Sequence, residues 1–134
     1  MRWYKKAAGQ GNVDAQYNLG ICYLTGQGVV KDEAESAKWF RAAAEQGDAV
    51  SQYNLGVSCY KGQGVAKDEA EAVRWYKKAA EQGHADAQNS LSICYRNGRG
   101  VQKDDAEAVR WYKKAAEQGH ADAQNSLSIC YRNG

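Results

Sequence analysis

Residues 70–98 read AEAVRWYKKAAEQGHADAQNSLSICYRNG, and residues 106–134 repeat that stretch letter for letter, 36 positions later. The same frame runs back through less similar letters. Tryptophan stands at Trp3, Trp39, Trp75 and Trp111, glycine at Gly11, Gly47, Gly83 and Gly119, and leucine at Leu19, Leu55, Leu91 and Leu127. A fixed period of this length marks a tandem array of supersecondary units and decides the architecture before local propensity does.

Each unit carries two apolar patterns with the helical period. In 13–25, Ala15, Leu19, Cys22 and Tyr23 follow i, i+4, i+7, i+8, one face of a helix. In 68–82, Ala72, Tyr76, Ala79 and Ala80 repeat the spacing, with Val73 and Trp75 widening the stripe. The intervening Glu, Arg and Lys residues are good helix formers. Asp68 is placed to cap that helix, and Gly83 to end it. The other joint is Gly-x-Gly-Val, at 26–29, 62–65 and 98–101, where glycines give the freedom for a chain reversal. With no strand signal and no proline, the prediction is an all-α fold: an α/α solenoid in which antiparallel helix pairs stack into a right-handed superhelix.

Composition narrows the functional classes. The 134 residues carry a formal net charge of +2, too near neutral to drive binding to nucleic acid or an anionic membrane. Hydrophobic residues at 43% and charged residues at 25% are ordinary for a folded domain. No apolar run approaches the length of a membrane-spanning helix. Arg2, Lys5 and Lys6 are followed by no apolar segment, so no signal peptide is expected, and the localisation expected is cytoplasmic.

The unit Ala-Asp-Ala-Gln-x-x-Leu-Gly/Ser-x-x-Tyr-x-x-Gly-x-Gly-Val-x-Lys-Asp-x-x-x-Ala-x-x-Trp-Tyr-x-x-Ala-Ala-Glu-Gln-Gly resembles the Sel-one-like repeat, a relative of the tetratricopeptide repeat. The likeness covers essentially the whole chain. Three departures accompany it. Ser92 and Ser128 replace the small residue kept at Gly20 and Gly56; Cys59 stands where Tyr23, Tyr95 and Tyr131 stand; and the array is out of phase with the family's unit. The expectation is one domain over 1–134: a partial unit at 1–11, repeats near 12–47, 48–83 and 84–119, and a partial unit at 120–134. First helices are expected near 13–25, 49–61, 85–97 and 121–133, and second helices near 32–46, 68–82 and 104–118. No polar capping unit is visible, although repeat arrays usually shield their ends. Trp3 and Tyr4 in the opening stub complement Leu127, Cys130 and Tyr131 in the last helix. Covering such a face is worth several kcal/mol at about 25 cal/mol per Å². Homo-oligomerisation through terminal helices, closed or open, is therefore expected.

The tetratricopeptide analogy implies that first helices line a concave face. The stripe pointing into it is then Asp14, Tyr17, Ile21 and Leu24; Val50, Tyr53, Val57 and Tyr60; Asp86, Asn89, Ile93 and Arg96; and Asp122, Asn125, Ile129 and Arg132. Its aromatic and aliphatic half suits a peptide, and Arg96 and Arg132 suit a carboxylate or carbonyl of the same ligand.

Reactive chemistry is sparse. The cysteines fall one per unit, Cys22, Cys59, Cys94 and Cys130, all on first helices. Adjacent first helices are too far apart for disulfides, so four buried thiols in a reducing compartment are expected. His84 and His120 occupy the position of Asn12 and Asp48 and read as helix caps; they lack partners at metal-ligand spacing. No cofactor or metal is expected, and no enzyme, because a catalytic centre needs unlike residues converging and would break the repeat. The resemblance implies a protein-interaction scaffold that takes a peptide or partner segment on its concave face. The second reading is a duplicated or engineered array that self-assembles head to tail. The third is the β-lactam or peptidoglycan binding linked to cysteine-rich relatives, against which the absence of cysteine on second helices counts.

Overall fold

The computed structural model describes residues 2–132. These form eight α-helices and, among the described residues, no strand. They are α1 (Arg2–Gly9), α2 (Val13–Thr25), α3 (Glu33–Glu45), α4 (Ala49–Lys61), α5 (Glu69–Glu81), α6 (Ala85–Asn97), α7 (Asp105–Glu117) and α8 (Ala121–Arg132). The first helices α2, α4 and α6 lie where the periodicity predicts them. The second helices α3, α5 and α7 are one residue shorter at each end than predicted. At α3 and α7 the cause at the start is visible: Asp32 and Asp104 stand outside the helix with extended backbone and accept from the first-turn N–H groups of Ala34, Glu35 and Glu107 at 3.1 Å. Satisfying those orphan donors is what an N-cap does.

The chain falls into two compact units, one built by α1–α4 and ending at Asp68, the other built by α5–α8 and beginning at Glu69. In the first unit, α2 packs on α1 and α3, and α3 packs on α4. Ala8, Ala15 and Leu19 are buried there with Tyr4, Ala7, Tyr23 and Trp39 packed against them. In the second unit, α6 packs on α5 and α7, and α7 on α8. Ala108, Tyr112, Ala115 and Ala123 are buried there with Tyr95, Leu127 and Cys130 around them.

Helix pairs approach closely where a small residue meets a large ring. A Cβ on Gly20 of α2 would lie 2.6 Å from two ring carbons of Phe40 on α3, and Ser36 Oγ donates to the Gly20 carbonyl at 2.7 Å. In the second unit the corresponding small residue is Ser92, fully buried. Its hydroxyl donates back to the Gln88 carbonyl at 3.0 Å, so the one added polar group is satisfied inside its own helix.

A glutamine clasp recurs in every unit. Gln16, Gln52, Gln88 and Gln124 donate side-chain amide hydrogens to the carbonyls of Ala8, Ala44, Ala80 and Ala116 at 3.1, 3.2, 3.0 and 3.1 Å. Each first helix thus holds the C-terminal carbonyl end of the second helix before it. Gln46 Nε2 donates to Gln16 Oε1, and Gln118 Nε2 to Gln88 Oε1, both at 2.8 Å. Gln16, Gln52 and Gln88 are buried, and a buried amide is tolerated only when bonded in this way.

Candidate functional site: the outward stripe of the first helices

The first helices bury one face and leave another partly open. On α2, Asp14 is exposed while Tyr17, Ile21 and Leu24 are half-buried. The Tyr17 ring leans on Phe40 with centroids 6.1 Å apart, so packing from below orients it. On α4, Val50 is 40% exposed and Tyr53, Val57 and Tyr60 are half-buried. The two helices thus carry tyrosine and aliphatic side chains that keep solvent access while their neighbours Leu19 and Leu55 have none.

In the second unit the stripe is polar. On α6, Asn89 is half-buried, Ile93 is 38% exposed and Arg96 is exposed. Asn89 Oδ1 is buried without a hydrogen-bond partner among the described residues. An orphaned acceptor of this kind costs about 1–3 kcal/mol unless something donates to it. Arg96 lies beside the Tyr112 hydroxyl, which raises the guanidinium pKa; the contact is electrostatic, since the buried Tyr112 oxygen forms no hydrogen bond among the described residues. On α8, Asp122, Asn125 and Arg132 are exposed and Ile129 is half-buried. Asp86, placed in this stripe by its spacing, is tied down: its Oδ1 lies 2.8 Å from His120 Nε2.

Both histidines cap helices. His84 Nδ1 accepts from Ala87 N, and His120 Nδ1 from Ala123 N, each at 3.1 Å. Asn12 and Asp48 do the same for Ala15 and Ser51 at 2.8 and 2.9 Å. With Nδ1 accepting, the neutral His120 ring carries its proton on Nε2 and donates to Asp86.

The residues assigned to self-association divide by exposure. Trp3 is 70% and Tyr131 63% exposed. Tyr4 packs against the Ala8, Ala15 and Leu19 cluster, and Leu127 against the Tyr112 cluster. The expectation of four buried thiols needs correction. None of the four cysteines is in a disulfide, but only Cys59 and Cys94 are buried, while Cys22 and Cys130 are half-buried. Burial raises the Cys94 pKa from the usual 9.0 to about 11; Glu69 adds to the rise and Arg99 opposes it. Such a thiol is a small hydrophobe and a poor nucleophile. Among the described residues no group of three His, Cys, Asp or Glu side chains is placed to hold a metal ion, and no helix is long and apolar enough to cross a membrane.

The glutamine clasp is the feature that reading the sequence missed. Its signal was available in the strict recurrence of Gln16, Gln52, Gln88 and Gln124 at buried-face spacing, a costly residue to repeat without a bonding role.

Comparison with known proteins agrees with this geometry. The Sel1 repeat family model matches residues 1–12, 13–48, 49–84, 85–120 and 121–134, and the chain belongs to the Sel1 repeat family. Members of that family generally serve as protein-interaction scaffolds rather than catalysts. Among solved structures, it is similar to c5321, a protective antigen of uropathogenic Escherichia coli strains displaying an SLR fold. That match has a TM-score of 0.97 and 43% identity, over 100% of this chain and 29% of that one. A Sel1 repeat protein from Oxalobacter formigenes matches with a TM-score of 0.87 and 43% identity, over 91% of this chain and 50% of its own. Helicobacter pylori cysteine rich protein B matches with a TM-score of 0.73 and 25% identity, over 92% and 94%. The chain therefore spans half or less of the first two structures it matches. A comparison with curated proteins finds none that matches.

Proposed function

We propose that the protein is a non-enzymatic adaptor whose first helices bind an extended or helical segment of another protein. The observation that carries this reading is the α4 stripe, where Val50, Tyr53, Val57 and Tyr60 keep solvent access on a helix otherwise packed into the core. Tyrosine beside aliphatic side chains offers large apolar contact with a polar tip. Tyr17, Ile21 and Leu24 supply the same chemistry on α2. Asn89, Arg96, Asn125 and Arg132 supply hydrogen-bonding partners on α6 and α8, and the unpaired Asn89 oxygen supports a ligand N–H donor there. A peptide array probed with the intact chain tests this. Tyr17→Ala with Tyr53→Ala abolishes capture of the selected peptides if the stripe is the site, and unchanged capture moves the site elsewhere.

A second reading, homo-oligomerisation through α1 and α8, is favoured by the exposure of Trp3 and Tyr131. Light scattering over a concentration series tests it, with Trp3→Ala expected to disperse the oligomer; a monomer at every concentration rejects it.

A further inference from the structure

Both ring nitrogens of His120 are committed to bonds. The Ala123 N–H belongs to the opening turn of α8, whose donors have no intrahelical acceptor, and His120 Nδ1 accepts it at 3.1 Å. Nε2 lies 2.8 Å from Asp86 Oδ1 on α6. An imidazole keeps a lone pair on Nδ1 here only while it is neutral; the cation carries hydrogen on both nitrogens and accepts on neither. Adding a proton therefore sets one N–H against another at Ala123. It also puts a positive charge at the helix end where the dipole is already positive. The same proton turns the contact with Asp86 into an ion pair.

These two effects oppose each other, and the surroundings decide between them. The charged groups around the ring are Asp86 from α6, Lys114 and Glu117 at the end of α7, and Asp122 in the first turn of α8. Lys114, Glu117 and Asp122 are exposed, and Asp86 is 60% exposed. Solvent therefore screens what the ion pair gains, and the loss of the cap outweighs it. The His120 side chain keeps 14% exposure, so a proton reaches it without unfolding. The equivalent cap of α2 is unlike it: Asn12 accepts from Ala15 N at 2.8 Å through an amide oxygen, which gains no proton as pH falls.

We infer that His120 is a proton-operated latch on α8. Neutral, it closes the first turn of the helix; protonated, it releases that turn. Histidine gains its proton between about pH 5 and 8, so mild acidification is the signal, and capping is lost as pH falls. The latch acts on the helix itself and stands apart from the peptide-binding reading.

The test follows the Ala123 amide of the intact chain by solvent-exchange NMR between about pH 7.5 and about pH 5, corrected for intrinsic exchange. The nitrogen shift of His120 Nδ1 is recorded alongside. Protection of Ala123 is expected to fall about fivefold, the size of one lost cap, in step with protonation of Nδ1, while that of Ala15 holds. In His120→Asn, which keeps a cap and removes the titrating group, the fall is expected to vanish. The wild-type titration alters no residue, so a poorly folded variant does not decide the matter. Constant protection at Ala123 while Nδ1 gains its proton overturns the inference, as does an equal fall at Ala15. Hydrogen on Nδ1 already at about pH 7.5 overturns it too, and so does a fall that persists in a folded His120→Asn chain.

Discussion

His120 joins two first helices: its Nε2 lies 2.8 Å from Asp86 Oδ1 of α6 while its Nδ1 accepts the Ala123 N–H and caps α8. One ring thus does the work of a cap and of a tether. Replacing it with alanine removes both, and His120→Ala is expected to destabilise α8 by about 1–2 kcal/mol. His120→Asn, which restores the cap of Asn12, should recover most of that loss. Hydrogen exchange at the amides of 121–132 reads the difference; equal protection in all three proteins would show that neither contact matters.

Gly20 and Phe40 set the spacing of α2 and α3. With ring carbons 2.6 Å from where a Cβ would stand, Gly20→Ala overpacks a filled site and is expected to cost about 1–3 kcal/mol. Gly20→Ala with Phe40→Leu relieves the clash and should be more stable than the sum of the two single changes. Urea unfolding of the four proteins gives the coupling directly.

Gln88 both donates to the Ala80 carbonyl and accepts from Gln118. Gln88→Leu removes both bonds, although the Ala80 carbonyl keeps the Gly83 N–H at 3.0 Å, so a loss of about 0.5–1.5 kcal/mol per bond is expected. Gln124 makes the equivalent bond to Ala116 in an exposed setting, and Gln124→Leu should cost well under half as much, measured by the same denaturation.

Cys94 predicts a pH dependence. Its thiol is held neutral by burial, with a pKa of about 11 against the usual 9.0. Because the folded value is raised, the associated stability is fully present below pH 9.0 and is lost as pH climbs toward 11. Unfolding free energy should fall across that window and fall less in Cys94→Ala. At pH 8.5, iodoacetamide should label the half-buried Cys22 and Cys130 well before Cys94, as mass spectrometry of digests would show.

How much of this was legible follows from what periodicity records. Leu19 is placed on the apolar face of its helix by spacing, Leu55 and Leu91 stand one and two periods later, and each is fully buried. The placing of His84 and His120 as caps rested on their alternation with Asn12 and Asp48, and the bonds to Ala87 and Ala123 agree. What spacing does not carry is the partner across 30 or more residues. Asp86 was read as part of an open stripe, although His120 holds it. The thiols were read as equivalent because each falls on a first helix, yet Cys130 is less covered than Cys94, since burial depends on neighbours that a single unit's pattern does not contain.

The span of the amide clasp bears on how such a chain lengthens. Donor and acceptor, Gln46 with Gln16 or Gln118 with Gln88, are separated by less than one period, so copying a full 36-letter block reproduces every clasp intact. Copying a fraction of a block severs at least one of them and strands an amide in a dry interior. Lengthening by whole units therefore keeps the clasp, and the letter-for-letter identity of 70–98 and 106–134 carries its glutamines Gln88 and Gln124 over unchanged.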